Sequence, residues 1–176
     1  MIAAALMRTH VWLTPTAPCM STWRDPERWQ AWLRGDDCPI CRSIDSETAV
    51  AELEFTRVMM PEDGAMRGYA WLPTRRHVIE LHELTDAEGA ALMRDLRRVS
   101  AAIAGATGAV KLNYEIHGNT VPHLHVHLFP RYVGDPFEGG PITPRTVTQP
   151  VYAVGEHADL TRRVRDALAE SNPHAR

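Results

Sequence analysis

Gly118-Asn119-Thr120-Val121-Pro122-His123-Leu124-His125-Val126-His127-Leu128-Phe129-Pro130-Arg131 is the most informative stretch of this chain. In an extended strand successive side chains point to opposite faces, so His123, His125 and His127 share one face and Leu124, Val126 and Leu128 the other, with successive imidazoles about 7 Å apart. The aliphatic face enters a core. Three imidazoles in a row add nothing to stability, because each buried ring costs free energy unless it is hydrogen-bonded, so the row reads as chemistry rather than packing. Two chemistries compete for it. One is a catalytic zinc or iron site, for which imidazole is a common ligand, although no carboxylate follows the row before Asp135. The other makes one imidazole a nucleophile while its neighbours position an anionic substrate. Phosphorus chemistry suits the second, since a neutral imidazole can carry the phosphoryl or nucleotidyl group and split one displacement into two easier ones.

Upstream of this row, Lys111–Ile116 alternates polar Lys111, Asn113 and Glu115 with apolar Leu112, Tyr114 and Ile116, the pattern of a half-buried strand. Before it, Thr85 and Glu88 form a capping box, and Leu92, Leu96, Val99 and Ile103 recur at helical spacing until Gly105 and Gly108. Ala49–Met60 reads as one strand that pairs with a second at Tyr69–Leu72 across the Glu62-Asp63-Gly64 turn. Asp25-Pro26 opens a helix carrying Trp29, Trp32 and Leu33 and ending at Gly35, with the two tryptophans packed on the segment that follows. His157–Glu170 offers a last amphipathic helix through Leu160, Val164 and Leu168, after a long loop from Gly134 to Pro150 that is placed to act as a lid or a subunit contact. Strands precede and follow one main helix, so the expectation is an α+β fold with a mostly antiparallel sheet.

The chain has 176 residues, about one domain, long enough to bury roughly 70% of its unfolded surface without disulfides. Residues 1–20 read as a disordered leader, 21–150 as the main domain and 151–176 as a C-terminal helix and tail. A net charge of −3 gives no footprint for duplex nucleic acid. No apolar run reaches the roughly 18 to 20 residues of a membrane span, and the N-terminus makes a poor signal peptide, so a cytoplasmic protein is expected. Three cysteines fit a reducing compartment. Two of them form Cys38-Pro-Ile-Cys41, which has the spacing of a zinc knuckle, of a redox pair, or of two inert thiols. Arg75 and Arg76 are read as solvated, Arg131 as an ion-pair partner, and His10, His82, His117, His157 and His174 as surface residues without pattern. There is no Gly-rich phosphate loop, and no carboxylate cluster demands magnesium, although a substrate can bring it.

With these residues in hand, the chain resembles the histidine triad (HIT) superfamily of nucleotide hydrolases and transferases. Its signature, His-φ-His-φ-His-φ-φ with φ hydrophobic, is met by His123 through Phe129. The run from Gly118 to Arg131 looks most like the diadenosine polyphosphate hydrolases of the Fhit-like branch. The resemblance spans about Cys38 to Arg131. It implies a homodimer through the 92–103 helix and a hydrolase that cleaves dinucleoside polyphosphates, or related nucleoside 5′-phosphoanhydrides and phosphoramidates. His125 is then the nucleophile that forms a nucleotidyl-histidine, and His127 contacts phosphate oxygens and helps the leaving group depart. Asn113, Asn119 and Thr120 match substrate-binding positions, Asn119 standing where the family usually has Gln. The 113–118 loop is a residue or more shorter than the family pattern. The resemblance further implies structural zinc on Cys38, Cys41, His77 and His123, and an adenine nucleotide as the partner. Its alternatives are a phosphorylase or nucleotidyltransferase using phosphate as acceptor, and a non-catalytic nucleotide-binding regulator.

Overall fold

The computed structural model describes residues 22–43, 49–147 and 151–171; the expected leader and the last residues of the tail lie outside them. Helix α1, Pro26–Leu33, starts where the sequence places it, with Pro26 in its first turn and the Asp25 carboxylate accepting from the Arg28 amide. A short helix α2, Pro39–Ser43, carries the cysteine pair. Trp29 stacks edge-on against Trp23, and Trp32 lines a groove shared with Pro39 of α2.

The expected strand over 49–60 is two short ones. Strands β1, Ala51–Glu52, and β2, Arg57–Val58, form an antiparallel hairpin. The fold-back has a physical cause in the buried Asp95 carboxylate, which accepts from the amides of Glu54, Phe55 and Thr56 and from the Thr56 hydroxyl at 2.9 to 3.3 Å. Aligning three consecutive amides on one carboxylate turns the chain that alternation alone would leave extended.

Strand β3, Ala70–Pro73, pairs antiparallel with β5, His125–Arg131, and β5 pairs antiparallel with β4, Lys111–Ile116, giving the order β3-β5-β4. Bridges from Thr56 to Thr74 and from Met59 to Trp71 join the small hairpin to β3. Entry into β3 passes through Gly68 at φ +78°, where an added Cβ would lie 2.5 Å from Thr107, so only glycine lets strand and helix end approach.

Helix α3, Asp86–Thr107, forms with the expected capping box and ends at Gly108 in the left-handed region. It packs on one sheet face with α4, Glu156–Glu170, whose Leu160, Val164 and Leu168 are buried as expected. Leu92, Val99 and Ile103 join Ala70, Leu72, Leu124, Val126 and Leu128 in this core. The apolar face of the long helix is therefore buried within its own chain, while Met93 on the same helix stays exposed.

β4 departs from its expected alternation. Tyr114 and Ile116 lie on the core side, opposite Leu128 and Val126, yet remain 53% and 45% exposed because β4 is the sheet edge and α3 covers it only in part, the Tyr114 hydroxyl donating to Ser100 at 3.0 Å. Its polar residues Asn113 and Glu115 are half-buried on the histidine side. The histidine strand also begins at His125 rather than His123, for the chain at Leu124 bonds to Val78 and Thr74 instead of continuing the ladder. Arg131 is an ion-pair partner as expected, bound to Asp135 at 2.8 Å and to the carbonyls of Phe137 and Gly140, which folds the start of the long loop against the sheet. No helix among the described residues is long and apolar enough to cross a membrane.

Candidate active site and metal centre

The sheet face turned away from α3 carries the chemistry. Strand period places Tyr69 and Trp71 from the start of β3, His125, His127 and Phe129 from β5, and Asn113 and Glu115 from β4 on one side, with Trp71 opposite His127, Glu115 also opposite His127, and Asn113 opposite Phe129. Ile142 packs with Tyr69 and Phe129 and closes one end.

His125 and His127 are closer than an ideal row predicts. Their ring centroids lie 4.7 Å apart at 80°, because each ring is tied down separately. The Nδ1 of His125 lies 2.6 Å from the backbone oxygen of His123. A carbonyl only accepts, so Nδ1 carries the proton and Nε2 keeps its lone pair. The ring is part-buried, and Trp71 meets it edge-on at 5.8 Å. The Nδ1 of His127 instead meets the Tyr69 hydroxyl at 2.7 Å. Burial lowers both imidazoles, His127 down to about 3, so both are neutral near pH 7.

His123 does not stand in that row. It is buried, and its ring turns toward Cys38, Cys41 and His77. Its Nδ1 lies 3.6 Å from the Cys38 sulfur and 3.4 Å from that of Cys41, and the Nδ1 of His77 lies 3.4 Å from Cys41. The four ligand atoms all fall within 4.8 Å of one another. A zinc tetrahedron with bonds of about 2.3 Å to sulfur and 2.0 Å to nitrogen has S···N edges of about 3.5 Å, so these residues fit a closed Cys2His2 site.

The surroundings agree with that fit. His123 Nε2 bonds to the Thr74 carbonyl at 2.9 Å, which fixes the ring proton there and frees Nδ1 for a cation. Gly35, at φ +85°, brings the backbone against the His77 ring, where an added Cβ would sit 3.2 Å from Cδ2. Although Cys41 is exposed overall, burial of its thiol beside Cys38 pushes it up to about 12. A cation between the two sulfurs reverses this penalty. His77 Nε2 is buried without a partner among the described residues.

The HIT domain family matches residues 44–134, just over half of the chain. The chain belongs to that family. Among solved structures it is similar to a histidine triad protein from Bradyrhizobium japonicum, 29% identical with a TM-score of 0.62, covering 72% of this chain and 97% of that one. A second, from Sinorhizobium meliloti, is 27% identical with a TM-score of 0.59, covering 71% and 96%. A zinc-bound histidine triad family protein from Mycobacterium smegmatis shares the fold at 20% identity and a TM-score of 0.55, covering 76% and 92%. No curated protein matches the chain.

For this HIT domain the structure brings together His125 and His127, with Asn113 on the same face, while Asn119 and Thr120 lie exposed on the loop between β4 and β5. The sequence reading missed three groups. His117, which sequence alone places among the patternless surface residues, has its ring 5.6 Å from His127 and its Nε2 3.1 Å from Glu115. His157 likewise has a partner, the Met60 carbonyl at 2.9 Å. Tyr69 touches the triad only because β3 pairs with β5, a relationship no local pattern shows. Arg75 and Arg76 are structural: the first reaches the Leu53 carbonyl and the second pairs with Glu88 at 2.8 Å.

Proposed function

We propose that this HIT domain is a nucleotide hydrolase of the diadenosine polyphosphate hydrolase kind, acting on dinucleoside polyphosphates or related phosphoanhydrides and phosphoramidates through a nucleotidyl group carried on His125. The observation that carries this reading is the 2.6 Å bond from His125 Nδ1 to the His123 carbonyl, which commits the nucleophilic lone pair to Nε2 of a neutral, part-buried ring. Nε2 attacks the α-phosphorus and displaces the leaving group. Water then displaces His125 from the same phosphorus, returning the ring and releasing the nucleotide.

In this reading His127 contacts the phosphate oxygens beside the attack, and Asn113, Asn119 and Thr120 supply further polar contacts. Zinc bound by Cys38, Cys41, His77 and His123 has a structural role. Its donor set leaves no open position, and its contribution is to hold α2 against the segment that leads into β5. A homodimer is also proposed through the 92–103 stretch of α3, with the exposed β4 edge around Tyr114 and Ile116 as adjoining apolar surface.

Rapid quenching with α-labelled diadenosine polyphosphate and adenosine phosphoramidate, with and without added phosphate, tests the activity directly. The expected result is an acid-labile label on His125 that chases to free mononucleotide. A protein that binds these nucleotides yet never becomes labelled overturns the proposal.

A further inference from the structure

The second triad ring on β5 raises a question that His125 does not, because the partner of its Nδ1 is a hydroxyl, which can either donate or accept. We infer that Tyr69 donates its proton to His127 Nδ1 and so fixes the His127 ring proton on Nε2, making the two neighbouring imidazoles opposite tautomers. Tyr69 is then a positioning residue, and the inference goes beyond the hydrolase reading, which supplies only its catalytic consequence.

The direction of the bond follows from counting donors. Tyr69 is only 5% exposed, and His127 Nδ1 is the one hydrogen-bond partner of its hydroxyl among the described residues. If His127 were the donor, the buried O–H would point at nothing, a cost that donation to Nδ1 removes. Burial also drives the phenol above its ordinary range, so it keeps the proton it donates.

The hydroxyl cannot swing away. The Tyr69 ring stacks on Phe129 at 4.8 Å and 26°, and lies 5.9 Å from His127 at 18°. Behind it, Gly68 is held by its tight approach to Thr107 and by its amide, which donates to the Tyr152 hydroxyl at 2.8 Å. A neutral imidazole has one proton to place; with Nδ1 accepting, that proton sits on Nε2.

The consequence is complementary. His125 offers a lone pair and His127 an N–H, from rings 4.7 Å apart. A phosphorus centre under attack needs both a nucleophile and a donor to the oxygens on which charge grows. Two lone pairs would repel the phosphate, and two donors could not attack it. His127 thus acts as a neutral hydrogen-bond donor to those oxygens.

The test needs no substrate. In the full-length protein labelled with nitrogen-15 at histidine, a long-range proton–nitrogen correlation spectrum separates protonated from unprotonated ring nitrogens, and His127→Gln assigns the resonances by their loss. The expected spectrum has His127 Nδ1 unprotonated and Nε2 protonated at neutral pH. In Tyr69→Phe, which keeps the stacked ring, both shifts move toward the average of the two tautomers. A native Nδ1 that carries the proton, or a Tyr69→Phe spectrum that leaves the His127 shifts in place, overturns the inference. A protein with the expected shifts but no labelling by nucleotide removes the hydrolase reading alone.

Discussion

The backbone oxygen of His123 accepts the Nδ1 proton of His125 at 2.6 Å, while the side chain of the same His123 faces the two cysteine sulfurs at 3.4 to 3.6 Å. One residue therefore belongs to two sites, through its ring to the metal centre and through its carbonyl to the candidate nucleophile. Whatever fixes the His123 ring also fixes the acceptor that sets the His125 tautomer. Thr74 adds to this, since it bridges to Thr56 and bonds His123 Nε2.

Metal removal is expected to act through that shared residue. Purified protein should contain about one zinc per chain, and Cys38→Ser should lose it together with several degrees of melting temperature. Elemental analysis and calorimetry check this. A metal-free preparation that melts where the native protein does would remove the structural role.

His125→Ala should leave the fold intact and abolish the covalent adduct, with turnover falling by about a thousandfold or more, the scale of a lost nucleophile. Quench-flow and circular dichroism separate the two effects. Turnover retained within tenfold would move the nucleophile elsewhere.

Asp95→Ala should be among the most damaging substitutions away from the site. It removes a buried carboxylate that accepts four bonds from 54–56 and leaves three amides without their acceptor. A loss of about 3 kcal/mol or more is expected in urea unfolding. A loss under about 1 kcal/mol would mean that the turn holds itself.

Acid should destabilise the fold through His127, whose ring titrates near 3 in the folded state against an ordinary value of 6.5. Above about pH 6.5 the ring is neutral in both states and its contribution is complete. As pH falls from there toward 3, the unfolded chain binds a proton that the fold refuses, and stability drops by up to about 1.4 kcal/mol per pH unit. Unfolding measured between pH 7.5 and 5 should show a shallower slope in His127→Gln. Equal slopes in the two proteins would place the acid sensitivity on other groups.

Local pattern carried much of this protein. The alternation placed a strand with a reactive face at His125–Phe129, although His123 before it turns to the cysteines instead; the Thr85 and Glu88 pair marks the start of α3, and Leu160, Val164 and Leu168 mark the buried face of α4. Each of these signals rests on neighbours in the chain, within a turn or a strand period. The Cys-x-x-Cys spacing alone left zinc, redox and inert readings open; the convergence of His77 and His123 on the sulfurs favours metal.

Tertiary contact decided the rest. The 49–60 segment folds back because a carboxylate about forty residues away collects its amides. Tyr114 and Ile116 stay exposed because β4 is an edge, which depends on which strands pair rather than on their own residues. Tyr69 reaches His127, and His117 stands beside the same ring, only once antiparallel register sets three strands side by side. Hydrophobic period tells a residue which face it will occupy, but which neighbour shares that face, and therefore where a buried proton sits, is set by contacts between parts of the chain that local pattern cannot see.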